Sequence, residues 1–133
     1  MNGMNPVNAI ALSGLNAATL RVQASANNIA NMRSNGALVA AAGPAPYTPL
    51  EVQQASMAGG GVAASLAPSS RVAVLSYDPQ APFASADGLV ASPNVDVVDD
   101  MMQLATARYS FAANLAVIHT ADDMTNAVLD MRA

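Results

Sequence analysis

The sequence has no cysteine, lysine or tryptophan. The missing cysteine excludes disulfides, thiolate metal sites and a cysteine nucleophile. The missing lysine leaves Arg21, Arg33, Arg71, Arg108 and Arg132 as the basic residues, scattered through a chain of net charge −4. No basic patch exists to neutralise phosphates, which argues against nucleic acid. The same scarcity argues against docking on anionic lipid. Charged residues make up only 11%, less than half the usual share of about 25%. No apolar run of about 18 residues is free of polar interruption, so direct membrane insertion is not expected. Residues 1–20 carry no Lys or Arg and so lack the charged start of a secretory signal.

What is present is light apolar surface. Hydrophobic residues reach 53% of 133, yet aromatics are 4%. Alanine supplies much of the rest and little burial energy per residue, so a large dense core is not expected.

Three textures follow one another. Residues 1–34 hold a helix over about 5–32. Asn5 is placed to cap it and Pro6 to occupy its first position, where a missing N–H costs nothing. Leu15, Val22 and Ile29 recur every seven residues, with Ala11, Ala18, Ser25 and Met32 as a companion row of mostly small side chains. That is a heptad-like seam, and it stops near Ser34-Asn35-Gly36.

Residues 35–94 contain most of the Gly and Pro. Short strands are predicted at Leu50–Gln53, Gly61–Leu66 and Arg71–Tyr77, with a tight turn at Asp87-Gly88 before Leu89-Val90. Gly59-Gly60-Gly61 reads as a flexible loop, since no phosphate-loop partner residues accompany it. The segment as a whole reads as a small β-rich, partly irregular insertion.

Residues 95–133 return to helix. Asn94 or Asp96 caps the start. Asp96, Asp99 and Asp100 suit the positive helix end, and Arg132 suits the negative one. An apolar stripe runs Val97, Met101, Leu104, Phe111, Leu115, Ile118 and drifts to Met124, Val128 and Met131, with Arg108 interrupting it. The fold class is therefore mainly α: two long terminal helices paired as a coiled-coil-like hairpin around a β-rich insertion.

The lengths do not fit a compact monomer. A globule of this size is about 36 Å across. The C-terminal helix alone is about 55 Å long and the N-terminal one about 40 Å. Two such helices leave apolar surface wet, and other chains are the natural cover.

Chemistry is scarce. His119 is the single histidine and reads as a helix-surface or interface residue, because metal sites need several convergent ligands. The Asp96, Asp99, Asp100 group lacks the loop spacing of a calcium site. No cofactor and no catalytic residue is indicated.

Three stretches carry a resemblance. Ser13–Ala18 with Ala26-Asn27-Asn28-Ile29-Ala30-Asn31 resembles the N-terminal motif shared by bacterial flagellar rod and hook proteins. Tyr77-Asp78-Pro79-Gln80-Ala81-Pro82, Ala86-Asp87-Gly88-Leu89-Val90 and Pro93-Asn94-Val95 together resemble the YDPxxP…DGxVxxPNV segment of the flagellar proximal-rod protein C family. Ala107-Arg108 through Asn114 and Thr120-Ala121 is similar to that family's C-terminal helix motif. The second stretch is the specific one.

The resemblance implies a structural subunit of the proximal rod of the flagellar basal body, not an enzyme. Its terminal helices would form an axial domain, packing with copies of itself and other rod proteins into a helical tube that transmits torque and surrounds the export channel. Such proteins leave through the flagellar type III export apparatus without a cleaved signal and reach the rod across the periplasm. Leu15, Val22, Ile29, Met101, Leu104, Phe111, Leu115 and Ile118 are the expected subunit-packing residues. Asn28, Ala30, Asn31, Tyr77, Asp78, Pro79, Asp87, Gly88, Pro93, Asn94, Arg108 and Asn114 are the motif residues. The turn motifs have a physical role regardless: they set how the insertion leaves the helices. Asn28, Asn31 and Asn114 either hydrogen-bond across helix interfaces or are solvated, and Arg108 is placed to pair with an Asp of a neighbouring chain. The rival readings are another flagellar axial protein and a small helical adaptor, which should be stably folded alone.

Overall fold

The computed structural model describes residues 6–131, so the expected caps at Asn5 and Arg132 lie outside the described residues. The element order is α1 (Pro6–Asn31), β1 (Leu50–Ser56), β2 (Val62–Pro68), β3 (Val74–Tyr77), β4 (Leu89–Ser92) and α2 (Val97–Asp130). Helix makes up about half the chain, so "mainly α" is too strong a description. The architecture is two helices plus two small antiparallel sheets.

α2 has 34 residues and is therefore about 51 Å long. It lies against α1 in antiparallel fashion. Asn8 meets Asp122 near one end, Gly14 faces Asn114 further in, and Asn28 meets Asp100 at the other end. The seam is made of the companion row. Ala11, Ala18, Ser25 and Ala107 are all 2% exposed or less. Small side chains let the helix axes approach closely. At Gly14 even a methyl would stand 2.5 Å from the Asn114 side-chain oxygen. The larger row sits outside this seam: Leu15 and Ile29 are half-buried and Val22 is exposed. The seam of the hairpin is thus packed mainly by alanine and serine.

The start of α2 follows its sequence closely. Asp96 caps it, accepting from the backbone N–H groups of Val98 and Asp99, each at 3.1 Å. Asp99 turns outward to Arg71 at 3.3 Å, and Asp100 turns inward to Asn28. One acidic cluster thereby performs three tasks, of which helix-end electrostatics is only one.

In the insertion, β1 and β2 form a hairpin in which Leu50 pairs with Pro68 and Ser56 with Val62. Both strands are longer than expected. β3 starts at Val74 rather than Arg71 and pairs with β4 from Val74↔Ser92 to Tyr77↔Leu89. Gly59-Gly60-Gly61 is not a free loop: it is the turn of the first hairpin. All three glycines have positive φ (96°, 96° and 86°), a backbone that side chains disfavour. The turn lies on α1. The Val62 N–H donates to the Ser13 hydroxyl oxygen at 3.1 Å, and that hydroxyl donates to the Ile10 carbonyl at 2.7 Å. The second sheet is tied back through Gly36, whose N–H and C=O both bond Ala91 of β4.

Candidate assembly interface

Two kinds of surface matter: a closed joint that sets the insertion on the helices, and an open face that leaves apolar side chains in water.

The joint centres on Asn28, 5% exposed. Its amide nitrogen donates to the Leu50 carbonyl at 2.9 Å and to the Asp100 carboxylate at 3.2 Å. Its amide oxygen accepts from the Leu50 N–H at 2.7 Å and the Tyr47 hydroxyl at 3.1 Å. Both donor hydrogens and both acceptor positions are thus used. One side chain joins α1, the chain entering β1, and the first turn of α2. Burial raises the Tyr47 phenol above its ordinary value, and the negative charge of Asp100 adds to the rise. Beside this joint lies a polar cleft of about 360 Å³ between α1, β1 and α2, bordered by Arg21, Glu51, Arg71, Asp99, Asp100 and Gln103. At its border Arg21 donates to Gln54 of β1 at 2.9 Å.

Of the three asparagines with two open readings, only Asn28 bonds across elements in this way. The Asn31 amide donates to Asn27 in its own helix and its oxygen accepts from Ser34, closing the helix end. Asn114 donates to Ser110 within α2 and lies on Gly14. The sequence pattern points neither to Tyr47 nor to the inward turn of Asp100, the partners that make Asn28 matter. The available signal is an isolated tyrosine in an otherwise Ala- and Pro-rich stretch, and an Asp four residues past the capping Asp96.

The turn motifs meet in space. The Asp78 N–H donates to the Gly88 carbonyl at 2.9 Å, closing the β3–β4 connection with Tyr77, Pro79 and Asp87 around it. Tyr77 itself is exposed, while Pro93 is buried and Asn94 half-buried on the approach to α2. Ala30 is exposed.

The open face belongs mainly to α2. Among its described residues only Asp100 and Ala107 are buried. Of the expected packing residues, Met101, Phe111 and Leu115 are exposed, and Leu104 and Ile118 are half-buried. Arg108 is also exposed. A groove of about 330 Å³ runs between Ala18, Thr19 and Val22 of α1 and Ala107, Arg108 and Phe111 of α2. Towards the end of α2 a larger apolar groove of about 600 Å³ is lined by Val7 with Val117, Ala121, Met124, Val128 and Leu129 among others. His119 is exposed. Among the described residues no group of His, Asp or Glu is placed to hold a metal ion, and no helix is long and apolar enough to cross a membrane.

Comparisons with known proteins agree with this picture. Residues 86–131 match the family model described as flagellar basal body rod FlgEFG protein C-terminal. The chain is 36% identical to the flagellar basal-body rod protein FlgC of Salmonella typhimurium, over 86% of this chain and 87% of that protein. It is 34% identical to FlgC of Escherichia coli O157:H7, over the same shares. It is 30% identical to FlgC of Agrobacterium fabrum, over 98% of this chain and 96% of that protein. The coverage takes in both helices and the insertion, and the chain belongs to the flagellar basal-body rod protein FlgC family.

Proposed function

We propose that this chain is a structural subunit of the flagellar basal-body rod and that it does its work by packing, not by catalysing a reaction. The observation that carries the reading is α2: a helix of 34 residues with two buried positions and a row of large apolar side chains in water. A monomer gains nothing from that arrangement. Large apolar side chains left in water along a long helix are what an obligate assembly covers.

The finer reading is as follows. Copies of this chain and other rod proteins cover Val22, Met101, Phe111 and Leu115, together with the half-buried Leu15, Ile29, Leu104 and Ile118. The helix pairs line a tube around the export channel in the proximal rod. The insertion, fixed by Asn28, faces outward and sets the angle between neighbours. Torque passes through the packed helices. The chain reaches the rod through the flagellar type III export apparatus without a cleaved signal.

Hydrogen exchange tests this. The amides of residues 97–130 are compared in the dilute chain and in purified basal bodies. Protection of the distal half of α2, weak in the dilute chain and strong in basal bodies, is the expected result. Equal protection in both, or absence of the chain from basal bodies, overturns the reading.

A further inference from the structure

The polar cleft and the Arg108 groove share no lining residue. Helical spacing explains why. Arg21 and Asn28 on α1, with Asp99 and Gln103 on α2, lie on one flank of the Ala18–Ala107 seam. Thr19 and Val22 on α1, with Arg108 on α2, lie on the other.

Each flank carries a charge that its own chain leaves unmatched. In the cleft, Arg71 is paired with Asp99 and Arg21 is bonded to Gln54. Asp100 is only 7% exposed, and among the described residues its carboxylate accepts a single hydrogen bond, from neutral Asn28. A buried carboxylate with one neutral donor is under-compensated. On the other flank Arg108 has no ion-pair or hydrogen-bond partner among the described residues. It stands beside Phe111 and Val22, so any chain seated there removes water from around the guanidinium.

We propose that Arg108 of one copy enters the cleft of a neighbouring copy and pairs with its Asp100. The guanidinium is the donor such a carboxylate requires. Because the two surfaces lie on different flanks, the contact is heterologous, and it repeats from copy to copy instead of closing a two-fold dimer. The inference rests on the rod-subunit reading and adds the register between copies to it.

The test exploits the missing cysteines. Glu51, on the cleft border, and Thr19, which lines the groove beside Arg108, are both replaced (Glu51→Cys with Thr19→Cys), leaving Arg108 and Asp100 intact, and basal bodies purified from cells carrying this variant are mildly oxidised. The expected result is disulfide-linked dimers and longer ladders of this chain in basal bodies and none in the dilute chain. Linkage only when Arg33→Cys replaces Thr19→Cys, linkage only to a different rod protein, or no linkage of incorporated chain overturns the inference and leaves the rod reading intact. Absence of the unaltered chain from basal bodies overturns the rod reading as well.

If the cysteine variant fails to incorporate, Asp100→Asn and Arg108→Gln decide the matter. Asp100→Asn keeps an oxygen for Asn28. Each single change should lower incorporation at least about tenfold, and the double change should be no worse than the weaker single. Multiplying losses overturn the pairing.

Discussion

The two ends of the helix pair are built on opposite plans. At the insertion end, the chain bonds many of its polar groups to one another. Asn28 makes four hydrogen bonds, Asp96 caps α2, and Arg71 meets Asp99. At the other end α2 carries Met124, Val128 and Leu129 into solvent, each more than half exposed. Energy that stabilises the single chain is concentrated at the first end. A run of large apolar side chains left in water marks the second. One helix thus holds a segment tied into its own chain and a segment that leaves large apolar side chains in water.

Substitutions can break this contrast, and the largest effect is expected at the joint. Asn28→Leu leaves the Leu50 N–H and C=O, the Tyr47 hydroxyl and the Asp100 carboxylate without partners. Urea unfolding followed by circular dichroism should show a loss of about 3 kcal/mol or more, each orphaned group costing about 1–3 kcal/mol. A loss below about 1 kcal/mol would mean the insertion is held elsewhere. Next is the seam. Ala18→Leu forces an isobutyl group between axes spaced for methyls, and should cost about 1–3 kcal/mol in the same assay. Third is the cap: Asp96→Ala should cost about 1 kcal/mol, with the loss localised to the first turns of α2 by hydrogen exchange.

Tyr47 gives a pH signature. A raised phenol pKa favours the neutral folded form. Its contribution is complete below the ordinary value of 10.0 and fades as pH rises through the higher folded value. Stability of the unaltered chain should fall on that alkaline limb, and Tyr47→Phe should flatten it.

The smallest effect on the free chain is expected at the distal end. Met124→Ser with Val128→Ser should change unfolding free energy by no more than about 0.5 kcal/mol per site, as exposed positions do, yet abolish incorporation into basal bodies. If it unfolds the free chain instead, the contrast between the two ends is wrong.

Much of the fold was legible in the sequence because helix signals are local. Pro6, the seven-residue spacing, the Asp run at the start of α2 and the Asp87-Gly88 turn each act within a few positions. The row that faces inward was harder to read. Leu15, Val22 and Ile29 attract attention because they are large, but backbone approach is governed by the smallest residues present, and Ala11, Ala18 and Ser25 took the seam. The glycine run illustrates the same limit. Its three positive-φ residues look permissive from sequence, and only the close approach to Ile10 and Ser13 reveals a fixed turn. The joint was the least legible part. Asn28, Tyr47 and Asp100 are far apart in sequence, and no local rule brings a tyrosine, an amide and an acid together.

The antiparallel seam also has a kinetic consequence. Its bonds join residues 72 and 114 positions apart, so the loops that must close before α1 finds α2 run from about half to most of the chain's 133 residues. Closing them is slow compared with forming either hairpin. When such a chain emerges in order from its first residue, α1 remains without a mate until the last segment has followed. The two small sheets can form early, whereas the helix pair is the final element to be completed.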